Sequence, residues 1–133
     1  MKPLFADSFY FVALLNRADQ YHKRVAAAAN QLREDLVTTD WVLTEVADAL
    51  AESTMRRLVP QFIRDLARDR KVQLIRASEE LFARGLQLYQ DRPDKDWTLT
   101  DCISFVVMSE SEITDALTGD RHFQQAGFKA LFA

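Results

Sequence analysis

The sequence predicts an α/β fold, a three-layer α/β/α sandwich around a mostly parallel sheet of about five strands. Short apolar runs alternate along the chain with longer amphipathic stretches of helical periodicity. Strands that alternate with helices form parallel sheets covered by helices on both faces. The chain of 133 residues has the length of one core and shows no internal repeat or linker, so residues 1–133 are expected to form a single domain.

Three strands and their connecting helices are predicted in the first half of the chain. Residues 3–6 form an apolar run that stops at Asp7, and the Ser8 hydroxyl is placed to cap a helix from Phe9 to about Arg17. The further elements of this half are a helix over 20–34, a strand over 36–39, a helix that Asp40 or Thr44 opens and that runs to Ala51, a helical stretch over 54–70 broken at Pro60, and a strand over 72–75.

The second half continues the alternation. Ser78 caps a helix that runs to about Asp91, and Thr98 begins another helix that runs through Met108. The remaining elements are a polar loop over 91–96 and two short strands, over 113–118 and 128–132.

Composition and charge exclude several classes of protein. The chain has only three Gly and three Pro, which excludes disordered and collagen-like sequences. The longest apolar run, from Phe9 to Leu15, is far shorter than the roughly 20 residues of a membrane span, and no secretory signal is expected. A single Cys favours a reducing, cytoplasmic location. The net charge of −3 argues against a general nucleic-acid coat.

Four acidic residues stand out by their positions in this pattern. Asp7 ends the first strand, and Glu45 lies in the first turns of the helix that follows the second. Asp101 lies in the first turn of the helix that begins at Thr98, and Asp120 follows the fourth strand. Ligands of open parallel sheets bind in the crevice beyond the carboxyl ends of the strands, so we expect the four carboxylates to meet there.

A cluster of four carboxylates needs a cation. Two unit charges about 5 Å apart repel by roughly 3 kcal/mol at an effective dielectric constant of 20. Mg²⁺ or Mn²⁺ suits a partly hydrated site made of oxygen ligands. Such a site favours hydrolysis of phosphodiester bonds, because the ion activates the attacking water and stabilises charge on the phosphate. Neutralising four acids changes the net charge from −3 to +1, which eases the approach of a polyanion.

Segments around these acids together resemble the PIN domain family, and most closely the VapC-like toxins of bacterial type II toxin–antitoxin systems. The resemblance covers essentially the whole chain, with the order and approximate spacing of the acids. The segments are Phe5-Ala6-Asp7-Ser8, Thr44-Glu45-Val46, Leu99-Thr100-Asp101-Cys102, and Leu117-Thr118-Gly119-Asp120-Arg121-His122-Phe123 followed by Ala126-Gly127-Phe128.

The resemblance implies a Mg²⁺- or Mn²⁺-dependent endoribonuclease with an α/β/α fold. It also implies a homodimer and a small antitoxin protein whose tail covers the active site. The residues that match the catalytic, metal-binding acids of the family are Asp7, Glu45, Asp101 and Asp120.

Three hydroxyl residues are expected to support these acids. Thr98 matches the residue that commonly lies three positions before the third acid, and Thr118 the one two positions before the fourth. Ser8 lies beside Asp7, where its hydroxyl either caps the helix or orients a water molecule. Phe9 departs from the family pattern, in which a small polar residue is common.

Several of these residues also have simpler structural interpretations. Thr98 and Asp101 form a variant capping box, and the helix dipole favours an acid such as Glu45 in a first turn. Asp96 and Asp115 are spare acids whose roles stay open. The order of all four acids favours the catalytic interpretation.

Other residues near the predicted site are interpreted as structural. His122 has no partner at metal-ligand spacing and is expected to pack beside Phe123, although contact with a phosphate is the alternative. Cys102 is expected to be a buried small apolar residue.

The run from Arg56 to Lys71 is basic, and Arg57, Arg64 and Arg68 share a helical face. This face binds RNA phosphates or an acidic partner segment, or is simply solvated. Its apolar neighbours belong to the core or to a dimer surface, and they are Leu58, Phe62, Ile63 and Leu66.

Two other function classes compete with the nuclease. The first is a non-catalytic PIN-like domain that binds RNA or protein, which has no reason to tolerate the repulsion of four acids. The second is an aspartate-nucleophile phosphatase or phospho-receiver, and the Phe at position 9 argues against the phosphatase, which needs a second Asp there.

Overall fold

A computed structural model describes residues 1–133 and contains one five-stranded sheet in which every pair of neighbouring strands is parallel. The predicted α/β class is confirmed, and each predicted strand is present. The strands are β1 (Leu4–Ala6), β2 (Leu36–Thr39), β3 (Val72–Ile75), β4 (Asp115–Leu117) and β5 (Lys129–Ala130). Their order across the sheet is β3-β2-β1-β4-β5.

Seven α-helices and one 3₁₀ helix connect these strands. Right-handed crossovers place the helices between β1 and β3 on one face of the sheet and the later ones on the other. None of the helices has the length and apolar character needed to cross a bilayer. The helices are α1 (Ser8–Leu15), α2 (His22–Gln31), α3 (Asp40–Ala49), α4 (Val59–Arg68), α5 (Glu79–Asp91), α6 (Leu99–Glu110) and α7 (Arg121–Gln125), and the 3₁₀ helix is Thr54–Leu58.

Two of the predicted helix caps are confirmed. The Ser78 hydroxyl accepts a hydrogen bond from the Leu81 N–H at 3.2 Å and begins α5. Thr98 and Asp101 form a complete capping box at the start of α6. Pro60 follows the 3₁₀ helix and lies in the first turn of α4, where its missing N–H leaves no helical hydrogen bond unmade.

Two helix starts and one helix cap differ from the prediction. Ser8 is the first residue of α1 and caps nothing; Asp7 occupies the cap position, but its carboxylate makes no capping hydrogen bond. Helix α3 begins at Asp40, and its cap is Thr39, whose hydroxyl accepts from the Val42 N–H at 3.2 Å. Helix α7 was not predicted, because five residues are too few to show a helical period.

The order of the strands creates a crevice beside β1. The chain moves outward from β1 to β2 and β3, and then returns to add β4 and β5 on the opposite side of β1. Such a switch point is where ligands bind in open parallel sheets. In the register of β1 and β4, Ala6 pairs with Leu117, so Asp7 and Thr118 leave the sheet side by side.

Aromatic rings hold the short helix α7 against the sheet and α6. The Phe123 ring is fully buried, and its centroid lies 4.9 Å from Phe105 and 6.3 Å from Phe5. Because α7 has only five residues, this packing and not helix propensity fixes its position.

We therefore expect Phe123→Ala to destabilise the protein by about 3–5 kcal/mol, the usual cost of emptying a well-packed aromatic site. Urea unfolding in the presence of EDTA measures this loss. Phe128→Ala is the matched control, because Phe128 packs on the same Phe105 ring at 5.7 Å but is only partly buried. If both variants lose the same stability, α7 is not anchored through Phe123.

Candidate functional site

Asp7 lies at the carboxyl end of β1 and is only 5% exposed. The Thr118 hydroxyl donates a hydrogen bond of 2.8 Å to Asp7 Oδ2, and the end of β1 is held by a 2.8 Å bond from the Thr38 hydroxyl to the Ala6 carbonyl. Burial raises the pKa of Asp7 to about 7; the bond from Thr118 opposes this rise, and the charge of Glu45 adds to it.

Glu45 faces the same crevice from α3. Burial raises the pKa of its carboxyl group, and the negative charges of Asp101 and Asp120 raise it further. The Ser8 hydroxyl lowers the pKa of Glu45 by hydrogen bonding to the carboxylate. The Ser8 hydroxyl therefore affects the pKa of a neighbouring acid and does not cap α1, the helix that it was predicted to cap.

Asp101 combines the two interpretations that the sequence left open. Its Oδ2 accepts the Thr98 N–H at 3.2 Å, and the Asp101 N–H donates to the Thr98 hydroxyl at 3.0 Å, which closes the capping box. Burial raises the pKa of Asp101, and the charge of Asp120 adds to the rise, while the contact with His122 opposes it. The residue is thus both a helix cap and a member of the acidic cluster.

Asp120 is linked to Asp7 through Thr118. The Asp120 N–H donates to the Thr118 hydroxyl at 3.1 Å, while that hydroxyl donates to Asp7. Gly119 lies under the ring of Phe9, and a Cβ at position 119 would stand 2.7 Å from that ring. Phe9, the departure from the family pattern, therefore packs over the turn that carries Asp120.

His122 also belongs to this cluster, which corrects the prediction that it has only a structural role. Its Nδ1 lies 3.2 Å from Asp101 Oδ2 and 3.5 Å from Asp120 Oδ1. The backbone N–H of His122 donates to Asp120 Oδ1 at 2.8 Å. The sequence contained one indication of this contact. His122 lies only two positions after Asp120, so the two side chains are close along the chain.

The spare residues lie outside the cluster. Asp96 is an exposed loop residue. Asp115 is the first residue of β4, so it lies at the opposite edge of the sheet from the acids, and it accepts a hydrogen bond from Thr114 at 3.0 Å. Cys102 is fully buried, as predicted, and burial raises the pKa of its thiol to about 11.

Not all of the basic run from Arg56 to Lys71 lies near the acids. Helix α4 leads directly into the amino end of β3, so Arg68 and Lys71 lie toward the edge opposite the cluster. Lys71 Nζ donates to the Arg33 carbonyl at that edge, at 2.9 Å. Three of the apolar neighbours pack against the core and one is exposed; the packed ones are Phe62, Ile63 and Leu66, and the exposed one is Leu58.

The donor set fits a hard divalent cation. The four acids follow β1 and β4 or lie in the second turn of α3 and the first turn of α6, and the charges of neighbouring acids add to the raised pKa values of Asp7, Glu45 and Asp101. One oxygen each from Asp101 and Asp120 and a ring nitrogen of His122 lie within 4.8 Å of one another. Carboxylate oxygens are the ligands that Mg²⁺ and Mn²⁺ prefer.

The whole fold is found in solved structures of low sequence identity. VapC20 from Mycobacterium tuberculosis, a toxin that cleaves the sarcin-ricin loop, superposes with a TM-score of 0.85 at 21% identity, over 94% of this chain and 95% of that one. The chain has a VapC-like PIN fold. FitAcB from Neisseria gonorrhoeae shares this PIN fold with a TM-score of 0.67 at 16% identity, over 98% of this chain and 96% of that one.

The similarity to these structures has no counterpart at the level of sequence families. No family model matches the chain. No curated protein matches it either. The similarity therefore lies in the path of the backbone and does not by itself assign a role to any side chain.

The buried carboxyl of Asp7 predicts a pH dependence of stability. Its pKa is about 7 in the folded protein and 3.8 when unperturbed, so the unfolded chain loses this proton first as the pH rises. Stability without metal should therefore fall between pH 4 and pH 7, by on the order of 4 kcal/mol from this group. Asp7→Asn should remove most of that loss, as measured by urea unfolding in EDTA across this range.

Asp115→Asn is the matched control, since Asp115 lies at the far edge of the sheet. Equal pH profiles for the wild type and Asp7→Asn would contradict the unfavourable burial of the Asp7 charge.

Proposed function

We propose that this protein is a metal-dependent endoribonuclease that hydrolyses RNA phosphodiester bonds, and that it is the toxin of a toxin–antitoxin pair. The observation that carries the proposal is the convergence of four carboxylates at the switch point of the sheet. A binding module gains nothing from burying charges that repel one another. The proposed catalytic residues are Asp7, Glu45, Asp101 and Asp120.

Neighbouring groups hold these carboxylates in place. Thr118 orients Asp7, and the Thr98 backbone orients Asp101. Each contact uses a hydroxyl or N–H donor, which leaves the carboxylate as an acceptor. The acids are therefore arranged in advance for a positive ligand, as electrostatic catalysis requires.

The proposed ligand is Mg²⁺ or Mn²⁺, held by the four acids. When bound, such an ion supplies the charge that lets water add to the phosphorus atom while the bond to the leaving oxygen breaks. Burial and the charges of neighbouring acids raise the pKa of Glu45 and Asp101, and that of Asp7 to about 7, so a bound cation would favour the ionised form of these acids.

RNA as the substrate is supported by the similarity to VapC20, whose target is the sarcin-ricin loop. Two exposed arginines are proposed to contact the substrate backbone, although Arg76 Nε also pairs with Asp40 Oδ2 at 3.2 Å. Arg76 follows β3 and Arg121 follows Asp120, so both lie at the edge of the sheet that carries the acids, and both are exposed. Arginine is well suited to this contact, because its guanidinium group pairs with phosphate oxygens.

A protein antitoxin and a cytoplasmic location complete the proposal. A tail that covers the acids needs a cationic side chain, since an uncompensated cluster of carboxylates is the feature it must neutralise. The inert, buried thiol of Cys102 is compatible with a reducing compartment.

A homodimer is the proposed assembly, and α5 offers a surface for it. Three large apolar side chains of α5 are exposed at positions i, i+4 and i+7, so they form one stripe on the helix. Their exposed fractions are 41% for Phe82, 45% for Leu86 and 50% for Tyr89. A second copy of the chain would bury the same stripe around a two-fold axis.

Asp101→Asn should lower metal-dependent RNA cleavage on the order of 100-fold or more, because it removes a charge that the ion requires. The fold should be retained, since an Asn oxygen can still accept the Thr98 N–H of the capping box. Gel assays of purified protein with Mg²⁺, Mn²⁺ or EDTA measure the cleavage.

Asp115→Asn makes the same chemical change at the opposite edge of the sheet and should leave cleavage unchanged. Full activity of Asp101→Asn would refute the catalytic role of the acids. Folded wild-type protein that binds Mn²⁺ but cleaves no RNA would favour the non-catalytic binding domain.

Leu86→Glu should convert the proposed dimer into a monomer, because it places a charge in the middle of the apolar stripe. Light scattering coupled to gel filtration measures the mass. Gln87→Glu adds the same charge to an exposed position of α5 outside the stripe and should leave the dimer intact. A wild-type monomer, or a Leu86→Glu dimer, would show that α5 is not the interface.

A further inference from the structure

One nitrogen atom stands among the oxygen atoms of the acidic cluster. His122 Nδ1 lies 3.2 Å from Asp101 Oδ2 and 3.5 Å from Asp120 Oδ1, and its side chain is 20% exposed. Neighbouring ligands of an octahedral ion are about 3.0 Å apart when each lies about 2.1 Å from the ion. The two distances to the ring nitrogen are therefore close to those of a preformed ligand set.

The His122 ring is held where it is by the chain around it. The His122 N–H donates to Asp120 Oδ1 at 2.8 Å, which fixes the start of α7 against that carboxylate. The next residue, Phe123, is fully buried against Phe105. A rotation of the His122 side chain toward solvent would break the contact of its Nδ1 with Asp101 Oδ2.

We infer that His122 is a nitrogen ligand of the metal site and makes the site prefer Mn²⁺ to Mg²⁺. The inference rests on the proposed function, which supplies the ion, but it concerns a side chain outside the four acids. Mg²⁺ binds oxygen ligands almost exclusively, whereas imidazole strengthens the binding of first-row transition metals. One imidazole ligand among carboxylates therefore raises the affinity of the site for Mn²⁺ relative to that for Mg²⁺, and Mg²⁺ can still bind.

The alternative is that His122 only donates a hydrogen bond to Asp101. His122→Asn separates the two roles, because the Asn amide reaches the position of Nδ1 and can still donate to Asp101. It offers the ion an oxygen in place of the ring nitrogen. If His122 is only a donor, the variant keeps the hydrogen bond; if His122 is a ligand, the variant replaces the ring nitrogen with an amide oxygen.

The experiment is Mn²⁺ binding to the purified full chain, followed by pulsed electron paramagnetic resonance, with Mg²⁺ measured by competition. The wild type should show modulation from an imidazole ¹⁴N nucleus coupled to Mn²⁺, and His122→Asn should lack it. The Mn²⁺ affinity of His122→Asn should fall at least about tenfold, with that for Mg²⁺ nearly unchanged. His22→Asn is the matched control, because His22 is the only other histidine and its Nδ1 contacts the Ala13 carbonyl at 2.7 Å.

The outcomes separate this inference from the proposed function. Bound Mn²⁺ without ¹⁴N modulation, or modulation that persists in His122→Asn, overturns the role of His122 and leaves the nuclease in place. Failure of the folded wild type to bind Mn²⁺ overturns both. Melting temperatures in EDTA show whether each variant is folded, and Asp120→Glu, which keeps the charge and the imidazole, should retain the modulation.

Discussion

The enclosure of Asp7 between β2 and β4 is the constraint on which the rest of the site depends. Strand β1 is the middle strand of the sheet, so the residue that follows it enters a space with protein on both sides. A carboxylate there loses most of its hydration, and the donor placed to compensate it is Thr118, its neighbour across the strand pair. Asp120 follows Thr118 by two residues. A single turn of the chain therefore supplies both the hydrogen-bond donor to Asp7 and the fourth acid of the cluster.

The apolar core and the acidic cluster have opposite effects on stability. Phe123 and Phe105 hold α7 and α6 together, while the carboxylates at the ends of these helices repel one another. The aromatic packing keeps the acids in place although their charges favour separation. A cation that binds the folded state alone would convert this repulsion into attraction and would stabilise the fold by an amount that grows with the logarithm of its concentration divided by its Kd.

Alternating apolar runs and helix caps are local signals, which is why the five strands and the edge that carries the acids were predictable. The errors arose where a tertiary contact decided the outcome. Ser8 lowers the pKa of Glu45, a residue of another helix, and His122 contacts Asp101 only because α6 and α7 are packed together. Periodicity also cannot distinguish an exposed apolar stripe from a core-facing one, so the exposure of Phe82 on α5 had no signal in the sequence.

The pairing of β1 with β4 has a consequence for the synthesis of the protein. It joins residues near position 6 to residues near position 117, and parallel contacts between such distant segments form late in folding. During translation the earlier segments emerge and begin to fold before β4 exists. A nascent chain that ends before Asp120 has at most three of the four acids and so no complete cluster. Any activity that depends on the cluster is therefore absent until the final part of the chain has been made and has joined the sheet.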